Sequence, residues 1–303
     1  MKPEISIVIP SHNTKNILKD CITSIYKTES DKNKFEIVLV DNASSDGTVD
    51  MVKSDFPKVK VISNSNNLGF AKAVNQGWKK SDSELVLFLN SDTVFKSKNI
   101  IEGLVKYLSV NDNVGALSGK LILRNGKHDP DTHRGFPDPW SSFAFFIGLE
   151  KVFPKSKIFA RYHMGWQNLG TIHDIDAGCG AFLVVRKKIL KELNGWDEDY
   201  FFYGEDIDLC YRIKSLGWKI MYYPNLEVMH YKGASSGLRK ESGDVAKTQK
   251  ETLIKVAGAS VEAWQKFYEK FYKGKYPSFV TYIVLLGIRI KGFLRITKYK
   301  ILR

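Results

Sequence analysis

Short apolar, β-branched runs alternate with helical patterns along the first third of the chain. Ile5–Pro10 precedes Lys15–Tyr26, Glu36–Asp41 precedes Asp46–Asp55, Lys58–Ser63 precedes Gly69–Lys80, and Glu84–Asn90 precedes Asn99–Ser109. The apolar runs are continuous, as in strands covered on both faces, so the pattern predicts an open α/β layout with a mainly parallel sheet flanked by helices. Regularity fades over residues 124–175, where Pro130, Pro137, Pro139 and Pro154 stand among glycines and aromatics; an irregular stretch of this length predicts a substrate-shaping loop. It returns at Ala181–Arg186, at the helix-like Asp206–Ser215, and at the strand-like Trp218–Tyr223 and Leu226–Met229.

Towards the C-terminus, an amphipathic helix is expected from Asp244 to Tyr272, with Leu253, Ala257, Val261, Trp264, Tyr268 and Phe271 on a stripe that packs on the catalytic domain or a partner. Tyr276–Ile288 then holds 13 uncharged residues before Arg289, short of the roughly 20 that span a bilayer. Beyond it, Arg289, Lys291, Arg295, Lys298, Lys300 and Arg303 alternate with Ile, Phe and Leu, the pattern of a helix lying among lipid headgroups.

Charge sharpens that picture. Of the net +13, residues 232–303 carry 16 Lys and Arg against 5 Asp and Glu, while the rest is nearly balanced. An anionic membrane surface is the expected partner of this segment, ahead of packing or an oligomer contact; no nucleic-acid module is recognisable, and nucleic acid is not expected. The expected organisation is a catalytic domain over residues 1–238 and a helical, basic, membrane-facing extension over 239–303. Met1-Lys2-Pro3-Glu4 runs straight into a strand, so no secretory leader is expected. Cys21, Cys179 and Cys210 have neither disulfide nor zinc spacing. Together these predict a cytoplasmic protein, peripheral on the inner face of the cell membrane.

Ligands of open α/β sheets sit beyond the carboxyl ends of the strands, and polar clusters follow the strands here: Ser11-His12-Asn13, Asp41 to Ser44, Asn64 to Asn67, and Asn90-Ser91-Asp92. Asp41 is placed to accept from a base or ribose, and Asp46 to cap the next helix. Asp92 is either a turn residue or a carboxylate for a divalent cation at a diphosphate. Glu205 and Asp206 open a helix, where acids either cap or, held ionised by the dipole, serve as a general base; Asp208 is expected to pair with Arg212. His230 closes a strand before a flexible Lys232–Gly237 stretch and is an ordinary histidine, a metal ligand or a phosphate contact. His12, His128, His133, His163 and His173 show no metal spacing. No Gly-rich dinucleotide turn or P-loop is present, which argues against dehydrogenase and NTPase readings.

Taken in order, five segments resemble the inverting family-2 glycosyltransferases of GT-A fold, in particular their rhamnosyltransferase-like branch: Ser6 to Asn13, Val40 to Thr48, Asn67 to Asn75, Leu89 to Thr93, and Trp196 to Arg212. The resemblance covers residues 4–238. It implies a nucleotide-sugar donor held by Pro10, Ser11, Asn13 and Asp41, with Gly69, Phe70, Asn75, Asn90 and Asp92 contributing. It implies Mg2+ or Mn2+ on Asp92 and His230, although Asn90 replaces the usual leading Asp of the acidic motif. Asp206 is implied as general base with Glu205 beside it, and Gly178, Cys179, Gly180, Trp196 and Asp197 as the acceptor region, Cys179 being a packing residue.

The implied reaction inverts the anomeric carbon in one displacement, with a glycan or polyprenyl-diphosphate-linked acceptor in cell-surface polysaccharide synthesis. L-Rhamnose from dTDP-rhamnose is the first donor to consider, ahead of UDP-hexose, UDP-HexNAc or UDP-galactofuranose. A sugar-phosphate nucleotidyltransferase would want a basic Gly-rich loop after the first strand, which Ser11-His12-Asn13-Thr14 is not. A non-catalytic carbohydrate- or membrane-binding module is the rival from another class.

Overall fold

A computed structural model describes residues 2–233 and 250–301. In chain order its strands are β1 (Ile5–Ser11), β2 (Phe35–Asp41), β3 (Lys60–Ser63), β4 (Leu85–Leu89), β5 (Thr93–Phe95), β6 (Val114–Leu123), β7 (His173–Asp174), β8 (Phe182–Arg186) and β9 (Lys219–His230). They form one sheet in the order β3-β2-β1-β4-β8-β6-β9-β5, with β7 also on β9. The β3-β2-β1-β4 half is wholly parallel. Strand β8 runs antiparallel to β4 and β6, and β6 runs parallel to β9.

Helices α1 (Lys15–Thr28), α2 (Thr48–Asp55) and α3 (Phe70–Lys79) connect the parallel strands, and α4 (Ile100–Ser109) leads into β6. Side chains alternate across each strand, so the sheet divides the core in two. Ile5, Ile7 and Ile9 face Leu18, Ile22 and Ile25 of α1, while Val8, Val38 and Val40 face Ala73, Val74 and Trp78 of α3. Gly77 lets α3 lie close on the sheet, since a Cβ there would stand 2.3 Å from Val8 Cγ1.

The stretch over 124–175 is more ordered than its composition predicts. It contains α5 (Pro139–Phe146), α6 (Leu149–Val152) and strand β7. Helix α5 begins where Asp138 accepts from Ser141 N at 2.7 Å and Pro139 fills the first position, a start that suits both residues. The strand-like segments at 218–223 and 226–229 are one strand, β9, whose pairing with β6 skips Pro224 to Leu226. Proline cannot donate to the ladder, so it sits in this irregularity.

Helix α7 (Lys187–Glu192) follows β8, and α8 (Glu205–Ser215) precedes β9. Of the helix expected from Asp244, residues 244–249 lie outside the described residues, as do Ser235 to Gly237 and the expected boundary at 238; the rest is α9 (Lys250–Phe271). Phe267 and Tyr268 join the second core cluster with Tyr272, and Lys270 Nζ reaches Asp208 and Asp197, each at 2.6 Å. Thus α9 packs on the body that carries the sheet. Helix α10 (Ser278–Ile301) crosses it at Gly292, where a Cβ would meet Val261 Cγ2 at 2.3 Å. No helix among the described residues is long and apolar enough to cross a membrane.

Candidate active site

The polar loops at the strand tips interlock. Asn42 N donates to Ser11 O and Asn64 N to Asp41 O, each at 2.8 Å; the Asn42 side chain donates to Gly69 O at 3.1 Å. Asn13, at φ 53°, is locked to the β2 loop by bonds to Ser44 Oγ and Ser45 N, both 2.8 Å. Asp41 is buried; its Oδ2 accepts from Ser44 N at 2.9 Å, while Oδ1 has no hydrogen-bond partner among the described residues. A buried acceptor left open this way is costly unless a ligand donor completes it. Asp46 sits one residue before the cap of α2, which is Gly47. Its carboxylate ties two helix starts, accepting from Thr48 N at 3.1 Å and Lys15 N at 2.9 Å.

At the other end of the sheet, pairing of Thr93 with His230 sets Asp92 beside the last residue of β9. His230 Nε2 stands 3.4 Å from Asp92 Oδ1, and Nδ1 stands 2.9 Å from Asp129 Oδ2. Asp129 is held in place by its own N–H, which bonds Leu121 O, and by capping the turn at Pro130–Thr132. Lys232 bridges Asp129 and Asp131. Burial opposes a proton on His230, but Asp92 and Asp129 outweigh it and push the imidazolium up to about 9. Asp129 lies well below the usual carboxylate range: burial is overcome by His230 and Lys232.

The arrangement fits a divalent cation. One carboxylate fixes Nδ1, and a metal would take the place of the Nε2 proton that faces Asp92, the usual orientation of a histidine ligand. The 3.4 Å between Nε2 and Asp92 Oδ1 is close to the ~3 Å between adjacent ligands on ~2.1 Å bonds. Among the described residues no cluster of three or more His, Cys, Asp or Glu is arranged as a metal site, so an ion here would share two protein ligands with a substrate.

Asp206 lies in the first turn of α8, after Gly204 at φ 85°. Its Oδ2 pairs with Arg134 Nη2 at 2.7 Å and its Oδ1 accepts from Ile207 N at 2.8 Å. Arg134 also donates to Gly178 O at 2.8 Å; its backbone is clipped to Ala177, which fixes where the guanidinium points. Burial opposes the Arg134 charge, yet Asp206 outweighs it and raises the pKa. Burial pushes the neighbouring Glu205 carboxyl up, and the Asp206 charge adds to the push. Glu205 is therefore held towards its neutral form beside an Asp206 that pairs with Arg134. The two clusters meet at Asp131: against the cost of burial, Arg134 and Lys232 hold its carboxyl below its ordinary range.

The Glycosyl transferase family 2 model matches residues 6–193. The chain belongs to this family. As a family-2 glycosyltransferase it resembles Escherichia coli K12 rhamnosyltransferase WbbL, at 27% identity over 75% of this chain and 83% of that protein. It is equally similar, at 27%, to the Mycobacterium tuberculosis H37Rv N-acetylglucosaminyl-diphospho-decaprenol L-rhamnosyltransferase, over 76% of each chain. Bacillus subtilis YdaM, a probable glycosyltransferase, is also 27% identical, and the chain spans about half its length. Among solved structures, the Pyrobaculum calidifontis mannosyltransferase PcManGT, in complex with GDP-Man and Mn2+, superposes with TM-score 0.59 at 16% identity over 99% of this chain and 74% of that one. Staphylococcus aureus TarS superposes at 0.54 with 17% identity, over 96% and 81%. These likenesses establish the GT-A fold. Asp206 and His230 lie beyond the residues that the family model matches.

In this glycosyltransferase, Pro10, Ser11, Asn13 and Asp41 share one rim, and Asn90 and Asp92 follow β4. Ser11 Oγ bonds Thr14, which in turn bonds Ser91. Asn75 is spent on the scaffold: its amide bonds Trp196 N and O, Trp78 Nε1 and Glu198. Gly69 and Phe70 back the same region, with Phe70 edge-on to Trp196 at 5.3 Å. Trp196 is in the core, and Asp197 is tied to Lys270 of α9. Gly178, Cys179 and Gly180 stand nearer the chemistry, with Cys179 buried between Asp129, Arg134 and Asp206. Gly178 and Gly180 leave room for Ser118 and Phe70, against which a Cβ would close to 2.9 and 2.8 Å.

Asp129, Asp131, Arg134 and Lys232 were not legible as site residues; all but Lys232 fall in the proline-rich stretch. The signal was present as the closely spaced Asp129, Asp131 and Arg134, in a segment that also carries Arg124, Lys127, His128 and Asp138. His128, His133 and His173 gather around Tyr222, and burial takes His133 down to about 3 and His128 to about 4.

Proposed function

We propose that the chain transfers one sugar from a nucleotide donor to an acceptor hydroxyl with inversion, L-rhamnose from dTDP-rhamnose being the donor to test first. The observation that carries this reading is the pair of charged clusters, Asp92 with His230, Asp129, Lys232 and Asp131 on one side and Arg134 with Asp206 on the other, with Asp131 near enough to Arg134 to feel its charge. It joins an end suited to a metal-bound diphosphate to an end suited to proton removal.

On the donor side, Asp41 Oδ1 is open to the imide N–H of thymine or uracil, and Ser11 and Asn13 frame the same rim. Asp92 and His230 would hold Mg2+ or Mn2+, whose charge supports departure of the nucleoside diphosphate. On the acceptor side, Asp206 takes the proton from the attacking hydroxyl, and its ion pair with Arg134 keeps it aimed. Gly178 to Gly180 shape the floor between the two. The rhamnose assignment is supported by two relatives named as rhamnosyltransferases. Relatives at 24% and 29% are named for N-acetylglucosamine polymer synthesis and glucosyl transfer, which keeps UDP-hexose and UDP-HexNAc donors in the panel.

The acceptor proposed is a polyprenyl-diphosphate-linked glycan, in keeping with the decaprenol named for the mycobacterial relative. Helix α10 supports this: it carries Arg289, Lys291, Arg295, Lys298 and Lys300 with no acidic residue, and exposes Phe279, Ile283, Ile290, Phe293 and Leu294. Such a helix lies on an anionic membrane face. The test is nucleoside diphosphate release from a panel of nucleotide sugars with Mg2+ or Mn2+, with and without EDTA, alongside Asp206→Asn. Metal-dependent release from one donor, lost in the variant, supports the reading and names the sugar. No release from any donor with membrane lipid extract present overturns it in favour of a binding module.

A further inference from the structure

The proline-rich stretch leaves the site and returns to it through a narrow neck. Gly135 N donates to Tyr162 O at 2.8 Å, and a Cβ on Gly135 would stand 2.3 Å from Arg161 O. Residues 136–161 are thus an excursion launched one residue after Arg134, the partner of Asp206. Inside it, Asp138, Pro139 and Ser141 build α5, and Trp140 and Phe153 pack on Phe159. Its outer surface is apolar and unpartnered among the described residues: Phe143, Ile147, Val152 and Ile158 are each more than half exposed. A contiguous apolar surface of this kind marks an interaction site.

Two observations identify what covers it. First, the excursion touches α10: Lys291 Nζ lies 3.8 Å over the Phe146 ring and 5.8 Å from that of Phe145. The exposed stripe of α10, already proposed to meet the membrane, adjoins this surface. Second, the charges that fringe it are of one sign. Lys151, Lys155, Lys157 and Arg161 accompany the apolar tips, while the acids Asp138 and Glu150 are engaged with Arg161 and His163. Apolar side chains in a basic fringe match the boundary between acyl chains and anionic headgroups.

We propose that residues 139–158 are a second membrane-contact element, which with α10 forms one discontinuous face that seats the catalytic domain on an anionic bilayer. This rests on the membrane reading of α10. Because the excursion begins beside Arg134, seating it sets the Asp206 end of the site close to the lipid surface.

The test uses the full chain and sedimentation with phosphatidylcholine vesicles, with or without phosphatidylglycerol. Wild type is expected to bind only the vesicles containing phosphatidylglycerol. Ile147→Ser/Val152→Ser/Ile158→Ser is expected to weaken that binding roughly tenfold or more, as is Ile290→Ser/Phe293→Ser/Leu294→Ser. Weakening by the α10 set alone overturns this proposal and leaves the α10 reading standing. Weakening by neither set, or no binding by wild type, overturns both. A second readout does not depend on the triple variants folding: Val152→Cys carrying an environment-sensitive fluorophore. All three native cysteines are buried, so labelling is selective. A blue shift on anionic vesicles supports the contact, and an unchanged spectrum with protein bound to the vesicles overturns it.

Discussion

Two carboxylate clusters face each other across the site, and they settle the same electrostatic conflict differently. Around His230, Asp92, Asp129 and Asp131 are brought together with Lys232. Around α8, Asp206 pairs with Arg134, and burial with the Asp206 charge pushes the Glu205 carboxyl beside it towards its protonated form. Buried like charges either take a proton or take a cation. The α8 cluster settles the conflict by pushing Glu205 towards its protonated form beside the Asp206–Arg134 pair. The His230 cluster balances its carboxylates with Lys232 and the His230 imidazolium, and a divalent ion would have to replace the Nε2 proton there. The difference teaches that adjacent acids in one motif need not share an environment: Glu205 is pushed towards neutrality while Asp206 pairs with a guanidinium.

The largest effect that sharpens this comparison is expected of Asp206→Asn. It should lower turnover about 10²–10⁴-fold with donor affinity unchanged, measured as steady-state nucleoside diphosphate release and donor titration; wild-type turnover would sink the base assignment. Next is Arg134→Met, which strands Asp206 and should cost ~3 kcal/mol of stability by denaturant unfolding. Combining it with Asp206→Asn should recover part of that loss, whereas strictly additive losses would show that the pair is not coupled. Asp129→Asn unlocks the His230 ring and should weaken Mn2+ affinity roughly 10–100-fold, read by calorimetry; undiminished affinity would remove His230 from the metal site. The smallest effect is expected of Glu205→Gln, which replaces a neutral acid by a neutral amide. It should shift stability by under ~1 kcal/mol and leave turnover close to wild type. A collapse of turnover would exchange the roles of the two acids and break the comparison.

The parallel half of the sheet was readable because each of its strands is a continuous apolar run closed by a polar tip, a local pattern that needs no distant partner. Pairing of Asp208 with Arg212, at 2.5 Å, was readable for the same reason, four residues along one helix. Strand β6 was missed: Gly115 and Gly119 break its apolar run, and they are there because Trp218 and Phe182 press against the strand. Asn75 is placed with the nucleotide by its motif, but its amide holds Trp78 of the same helix and Trp196, the latter a contact set by the packing of α3 on a loop over a hundred residues away.

The amino-acid sequence by itself determined the doubly covered sheet, the polar strand tips with Asp41 and Asp92, the acidic start of α8, and the basic apolar tail. Each follows from periodicity, capping chemistry or charge within a few neighbouring residues. Only the tertiary structure decided that Asp129 orients His230, that Arg134 pairs with Asp206, that Glu205 is pushed towards neutrality, and that the excursion over 136–161 lies against α10. These depend on which side chains burial brings together from distant segments, and burial sets both the cost of a charge and the strength of its partner.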